Sequence, residues 1–275
     1  MLDFTNDYDF NILELPLIPQ GMQKPVEGWK LLVREDTGEH LHVHRDSYQV
    51  LPHADVVQAT EDALKAADIS SDYDFNVYCH DKGRKLEIDV KFNNLVIEPA
   101  VGDHVKFRVR GLNSYDGQWA LQTVTDALRL WCDNGCVTAD SVSSIWQRHT
   151  NSISVEGIEN KIKLGVETFF NQKEQWQEWM KTKVERDDGE KLFRSQLVKR
   201  ASKTSEEKHN KKQLENLMGQ LDTEFSGLGE NKWAVYNCMT HWATHTNDNK
   251  KPHMVTRKRE KAVGQVLNTK QWLEI

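Results

Sequence analysis

Proline, cysteine and long apolar runs are scarce in this sequence. Six prolines among 275 residues leave no long proline-rich linker. Cys79, Cys132, Cys136 and Cys238 are too few for a disulfide framework in a chain of this length, so we expect free thiols. No apolar run reaches the ~18 residues that indicate a membrane span, and no signal peptide follows Met1. The sequence therefore predicts a soluble, cytoplasmic protein without membrane contact.

Positive charge is also in deficit, because the formal net charge is −6. A protein that coats nucleic acid is often basic overall, so any nucleic-acid role here must depend on a local basic patch. The composition is polar, with 28% charged and 38% hydrophobic residues, yet nine Trp, nine Phe and six Tyr can anchor a core. We therefore expect a folded globular protein.

The first half of the chain shows the period-two alternation of strands. The segments "WKLLVRE" and "HLHVHR" flank a "DTG" turn, and "FNVYCH" and "KLEIDVKF" flank a second turn at residues 81–83. Residues 54–68 form an amphipathic helical pattern, and residues 104–111 alternate apolar with basic side chains. This half is predicted to be a sheet-rich α+β domain over residues 1–152, with one or two packed helices.

The second half shows helical periodicity. Apolar stripes begin at Ile158, Leu192, Leu214 and Trp233, and "TRKREKAVGQVLNTKQWLE" provides a last helix. Breaks are predicted at residues 187–189 and 226–230. The fold class is therefore α+β, with an antiparallel sheet followed by a helical region packed on it over residues 153–275.

Cys132 and Cys136 stand four apart around "DNG" and allow three interpretations. They could contribute to a metal site, although no second cysteine pair follows. One of them could be a nucleophile activated by His149. The favoured interpretation is a structural corner, where a strand ends and a helix with Ile145 and Trp146 on its apolar face begins.

Two other groups are weak metal candidates. Alternation puts His40, His42 and His44 on one side of a strand. Helical spacing puts Cys238, His241 and His245 on one helix face. A solvated hairpin and a packed helix explain the same residues without a metal. We therefore predict no metal, no cofactor and no catalytic residue.

Basic residues occur in a strand and in two helical segments. These could form a surface that follows phosphates, with nearby aromatic rings stacking on bases. An ordinary solvated helix face explains either helical cluster taken alone. The predicted nucleic-acid-binding residues are Lys106, Arg108, Arg110, Tyr115, Trp119, Arg194, Lys199, Arg200, Arg257, Lys258 and Arg259.

The order of several short motifs resembles the phage/plasmid-like protein family, a domain of unknown function found in phages, prophages and plasmids. The motifs are "VREDTGEHLHVHRDSYQVL", "NSYDGQWALQTVTDALRLWCDNGCV", "RHT" and "WAVYNCMTHWATH". The matching residues are Arg34, Asp36, Thr37, Leu41, Tyr48, Asn113, Ser114, Asp116, Gly117, Arg129, Cys132, Asn134, His149, Thr150, Asn237, Thr240 and His245. Several residues fall outside the family pattern, which weakens the case for a metal site: His40, His42, His44, Cys136, Cys238 and His241.

The resemblance implies a mobile-element setting, in the cytoplasm of a host, and no established mechanism. Our leading hypothesis is a non-catalytic protein that binds single-stranded DNA in replication or recombination, including annealing. Its partners would be single-stranded DNA, phage or host replication proteins and further copies of itself. A host-takeover or protein-interaction factor is the first alternative. A metal- or cysteine-dependent enzyme is the second.

Overall fold

The computed structural model describes residues 7–129, 134–136, 144–198, 204–245 and 252–275. It confirms an α+β fold, with strands concentrated in the first half and helices in the second. The strands are β1 (Ile12–Pro16), β2 (Trp29–Arg34), β3 (His40–Arg45), β4 (Tyr73–His80), β5 (Lys85–Ala100), β6 (Asp103–Ser114), β7 (Leu121–Arg129), β8 (Asn134–Cys136) and β9 (Ser144–Gln147). The helices are α1 (His53–Ala67), α2 (Ile158–Lys181), α3 (Arg186–Gln196), α4 (Thr204–Leu228), α5 (Lys232–Thr244), α6 (Pro252–Leu267) and α7 (Lys270–Glu274).

The described strands form two sheets. The first is antiparallel and has the order β1-β2-β3. The second has the order β4-β5-β6-β7-β8, and β9 also pairs with β7. Along β7, Leu121–Val124 pair with β9, whereas Ala127–Arg129 pair with β8. Antiparallel order follows from the short connections between successive strands, since a parallel pair needs a long crossover.

The chain divides into two compact units. Unit 1 comprises Met1–Leu95, Arg108–Thr125 and Ser143–Val166. Unit 2 comprises Val96–Phe107, Asp126–Val142 and Glu167–Ile275. The boundary predicted from the sequence, at residue 152, lies inside the last segment of unit 1. The division into domains 1–152 and 153–275 stays a prediction.

The turn predicted at residues 81–83 packs against the buried core of unit 1. After β4, Lys82 and Gly83 adopt left-handed backbone angles, with φ of 61° and 91°. A Cβ atom at Gly83 would stand 2.8 Å from the Phe10 ring, so only glycine allows this approach. Phe10 in turn belongs to a buried cluster with Leu32, Leu41 and Tyr115.

Unit 2 contains a cluster of tryptophans. The Trp176 and Trp233 ring centroids are 5.3 Å apart, and Trp179 lies 5.1 Å from both Tyr236 and Trp272. All five side chains are buried. Rings at these separations attract one another beyond the area they bury, so the cluster stabilises the helices that carry it.

Two local predictions were wrong. Residues 144–147 form strand β9 and not a helix, and Ile145 and Trp146 pair with Thr123 and Gln122 of β7. Cys132, at the predicted corner, lies outside the described residues. The predicted break at residues 187–189 is the first turn of α3. Asp187 and Asp188 favour a helix start there, because negative charge stabilises the positive N-terminal end of the helix macrodipole.

Within the described ranges, none of the helices is long and apolar enough to cross a membrane.

Candidate functional site

Alternation along β6 separates a buried face from a basic one. Val105 and Val109 are buried, whereas Lys106, Arg108 and Arg110 are half-exposed. We call these three residues the β6 basic face. Lys106 belongs to unit 2, and Arg108 and Arg110 belong to unit 1. The sequence alternation is thus observed, while the role of these cations stays a prediction.

Within unit 1, the neighbouring strand β5 adds no net charge. Its half-exposed charged side chains are Lys85, Glu87, Asp89 and Lys91, two cations and two carboxylates. Lys91 Nζ lies 3.4 Å from Asp89 Oδ2. Any excess of positive charge on this part of the sheet therefore comes from the arginines of β6.

Tyr115 does not face solvent. It is fully buried, its ring stacks on His53 at 3.9 Å, and its hydroxyl accepts the backbone N–H of His53 at 2.7 Å. Burial raises the pKa of the Tyr115 hydroxyl above its usual range. Neither ring face is accessible, so this placement does not support the predicted base-stacking role.

Trp119 is also buried, with 8% of its surface exposed. Its backbone N–H donates to Ser114 Oγ at 3.0 Å, His80 meets it edge-on, and Lys85 Nζ lies 5.7 Å from its ring centroid. This burial does not support the predicted stacking of bases on Trp119. The backbone of Trp119 closes the turn that follows β6.

The predicted helical cations of unit 2 differ in environment. Arg194 is exposed and donates to Glu190 at 2.8 Å, whereas Lys258 is exposed on α6. Arg259 is engaged in the protein, because it donates to the carbonyl of Trp242 at 2.7 Å and lies 4.8 Å from that ring. Lys199, Arg200 and the side chain of Arg257 lie outside the described residues. Convergence of these cations stays a prediction.

The three-residue metal candidate on α5 is not assembled. Cys238 is fully buried and its thiol donates to the carbonyl of Leu217 at 3.2 Å. Burial raises the thiol pKa well above its usual value, so Cys238 is also a poor nucleophile. His241 and His245 do stack on each other. No group of three His, Cys, Asp or Glu side chains suited to a metal occurs in the part of the chain that is described.

The three histidines of β3 are not equivalent. His40 and His42 are exposed, whereas His44 is half-buried. His44 Nε2–H donates to the Tyr115 carbonyl at 2.7 Å, and the ring stacks on Tyr48 at 3.7 Å. His44 therefore serves packing within unit 1.

The "NSYDG" motif is a turn that is held by its own side chains. Ser114 Oγ accepts from the Trp119 N–H and donates to its carbonyl, and Asp116 accepts from the Gln118 N–H at 2.9 Å. Gly117 has a φ of +68°, and a Cβ there would stand 3.1 Å from the His44 ring. The motif therefore specifies a close approach between the turn and β3.

Buried imidazoles surround this turn. Asn113 Nδ2 donates to the Leu51 carbonyl at 2.9 Å and to His53 Nδ1 at 3.0 Å, and His53 Nε2–H donates to the Gly83 carbonyl. Tyr48 stacks on His149 at 4.8 Å and donates to the Ser114 carbonyl. Burial lowers the pKa of His53 to about 3, although its hydrogen bond to the Gly83 carbonyl acts in the opposite direction. The histidines here are neutral packing elements.

Arg34 anchors the hairpin between β2 and β3. Its guanidinium donates to both carboxylate oxygens of Asp36, at 2.7 and 2.9 Å, and also to Asp7. It lies 4.0 Å from the centroid of the Phe10 ring. These contacts assign Arg34 and Asp36 a structural role.

Arg129 holds a buried ionic network in unit 2. Its Nε donates to Asp103 Oδ1 at 2.5 Å and its Nη1 to Glu224 at 2.9 Å, while Trp233 Nε1 donates to Asp103 Oδ2 at 2.7 Å. All four side chains are buried. Asn237, one turn after Trp233 on α5, donates to the Trp233 carbonyl at 2.8 Å. The late motif residues therefore also stabilise the fold.

Comparison with protein families identifies the chain. The model of a domain of unknown function, DUF932, matches residues 40–272. The chain belongs to the DUF932 family. No curated protein and no solved structure matches it. The resemblance stated from the sequence is thus confirmed as membership of a family without assigned function.

The DUF932 region includes buried structural residues as well as the β6 basic face. Tyr48, the turn around Asn113, Arg129 and His149 lie within it, as does the β6 basic face. Arg34 and Asp36 precede it. The DUF932 match assigns no mechanism to these residues.

Sequence reasoning missed the residues that complete the buried networks. His53, Asp103 and Glu224 each stand in a segment with no motif of its own. One signal was available for Asp103, an acidic residue directly after Gly102 at a predicted strand start. The partners of Arg129 depend on tertiary contacts that neither period nor spacing reveals.

Proposed function

We propose that this protein binds single-stranded DNA without catalysis, through the arginines of the β6 basic face. The proposal is supported by one observation. Alternation along β6 keeps Lys106, Arg108 and Arg110 half-exposed on one side of the strand. Guanidinium groups recognise phosphates well, because they donate two parallel hydrogen bonds and stay charged at every physiological pH.

Because Tyr115 and Trp119 are buried, the proposed binding mode does not include base stacking on these two rings. Without accessible rings from these two residues, affinity must come mainly from phosphate contacts and must fall steeply with salt. The β5 carboxylates Glu87 and Asp89 repel the phosphates of DNA. Any binding must therefore depend on the arginines of β6. We therefore expect modest affinity with little sequence preference.

The test is the salt dependence of binding to a fluorescent oligothymidylate. Wild-type protein should bind with an affinity that falls linearly on a log–log plot against salt. The double variant Arg108→Gln/Arg110→Gln should lower the magnitude of that slope by about 1.4, which is 0.7 for each lost single-strand phosphate contact.

The matched control removes two exposed helical cations that are not among the residues predicted to bind nucleic acid. Lys163 on α2 lies 2.7 Å from Glu159, and Arg186 on α3 lies 2.7 Å from Asp222. The variant Lys163→Gln/Arg186→Gln should leave the slope unchanged. Absence of binding by wild-type protein, or an unchanged slope in the β6 variant, would reject the proposal.

A second candidate function is a protein-interaction factor, which one observation favours. Leu13, Leu15, Ile18, Met22 and Val26 are all exposed, by 37% to 62%, within one short segment of unit 1. Concentrated exposed apolar side chains typically mark an interaction surface.

The second candidate is tested by retention of a protein partner after nuclease treatment. The variant Leu13→Gln/Leu15→Gln should lose the partner that wild-type protein retains. Leu164→Gln, which changes a leucine of similar exposure on α2, should keep it. Equal retention by both variants would exclude this surface.

A further inference from the structure

The end of α5 carries two histidines one helical turn apart. His241 is half-buried and His245, which follows the last helical residue, is exposed. Their ring centroids are 4.2 Å apart and the ring planes differ by 11°. Spacing of four residues places side chains on one helix face, so the two imidazoles lie beside each other at the end of the helix.

Hydrogen bonds determine which nitrogen of His245 carries the proton. Thr244 Oγ1 donates to the Thr240 carbonyl at 2.9 Å, so it can only accept from His245 Nδ1, which lies 3.1 Å away. The His241 carbonyl, 3.3 Å from the same nitrogen, is an acceptor as well. Nδ1 is therefore protonated and Nε2 keeps its lone pair, the arrangement that metal-bound histidines adopt.

We propose that His241 and His245 form a two-nitrogen chelating site for a divalent transition-metal ion such as Zn²⁺ or Ni²⁺, with water at the other positions. Imidazole nitrogens suit these ions. Zinc–nitrogen bonds of about 2.0–2.1 Å put two tetrahedral ligands roughly 3.3 Å apart. The two rings are nearly parallel, so their in-plane lone pairs do not converge, and metal binding requires the exposed His245 ring to turn its Nε2 toward His241.

The surroundings limit the strength of the site. Cys238 is buried against Leu217 and does not join it, and no third His, Cys, Asp or Glu completes it within the described segments. Arg259 Nη1 donates to the carbonyls of Trp242 and His245, at 2.7 and 3.3 Å, which holds the turn but places a positive charge nearby. We therefore expect a site that exchanges its metal, in contrast to a structural zinc site.

The experiment is equilibrium dialysis against Ni²⁺ alone and Zn²⁺ alone. Wild-type protein should bind one ion that both His241→Gln and His245→Gln lose. His104→Gln, which removes an exposed histidine of unit 2, should bind like wild type. Circular dichroism checks that each variant is folded, and His245→Gln should pass because that side chain is exposed.

A second readout locates the ion. Paramagnetic Ni²⁺ should broaden the NMR signals of the His241 and His245 imidazoles before those of His40 and His42 on β3. Binding that survives in His245→Gln, or broadening that begins at β3, would overturn the proposal. Absence of any bound ion in wild-type protein would overturn it too.

Discussion

His53 shows how a single buried residue makes the stability of unit 1 depend on pH. It is fully buried, with its ring stacked on Tyr115 and both ring nitrogens hydrogen-bonded. Burial lowers its pKa to about 3, from an ordinary value near 6.5. The unfolded chain therefore binds a proton that the folded chain does not. Stability from this group is complete above pH 6.5 and is lost as the pH falls toward 3.

We predict that the free energy of unfolding falls by about 2 kcal/mol more between pH 7 and pH 5 in wild-type protein than in His53→Gln, since each pH unit below 6.5 costs about 1.4 kcal/mol. Urea unfolding at the two pH values measures the difference. The exposed His40→Gln should keep the wild-type pH dependence. Equal losses in wild type and His53→Gln would contradict the assignment.

Single-residue roles were the least predictable from the sequence. Tyr115 and Trp119 were assigned to DNA because aromatic side chains near arginines can stack bases. In the structure they are buried, since the "NSYDG" turn directs them inward and they bond with His53 and Ser114. Burial of an aromatic residue after a turn depends on what packs over it, and alternation alone does not contain that information.

Elements were more predictable. Residues 104–111 were recognised as a strand because apolar and basic side chains alternate, and they lie in β6. The helix predicted over residues 54–68 is α1, His53–Ala67, which ends where Asp68 adopts a left-handed conformation. The misplaced break at residues 187–189 has a simple cause. Gly189 reads as a helix breaker, yet its missing side chain allows α3 to approach Leu221 of α4.

Gly165 likewise allows a close approach, here between α2 and β7 in unit 1. A Cβ atom at Gly165 would stand 2.6 Å from the Thr125 Cβ, a distance that requires one element to shift. We predict that Gly165→Ala destabilises the protein by about 1–3 kcal/mol through overpacking. Thermal and urea unfolding provide the measurement.

Gly219 on α4 is the matched control for Gly165. Nothing lies within 4 Å of a Cβ added there, so Gly219→Ala should stabilise the protein by about 0.4–1 kcal/mol. If both alanine variants changed stability in the same direction, the close approach of α2 to Thr125 would not explain the result for Gly165.

The whole molecule is organised by repeated passage of the chain between its two units. The chain leaves one unit for the other after residues 95, 107, 125, 142 and 166. The sequence predicted a single change of pattern near residue 152, because strand and helix periodicity are properties of neighbouring residues. Contacts between distant segments decide how a chain divides, and periodicity does not report them.

We predict one cooperative unfolding transition for the whole chain. The tryptophan cluster of Trp176, Trp179, Trp233 and Trp272 belongs to unit 2, whereas Gly165 belongs to unit 1. If the units unfold together, Gly165→Ala should lower the midpoint of the tryptophan fluorescence transition as much as that of the far-UV circular dichroism. Fluorescence and circular-dichroism midpoints that separate in the variant would show independent unfolding.

Five passages of the polypeptide between two bodies also constrain how such a gene can change. Exchange of modules by recombination requires that one breakpoint leave each body whole. Here no single breakpoint does so. Any cut before residue 166 divides unit 1, and any cut after residue 96 divides unit 2. The gene is therefore expected to be inherited and lost as one block, and to diverge by substitution without exchange of its halves.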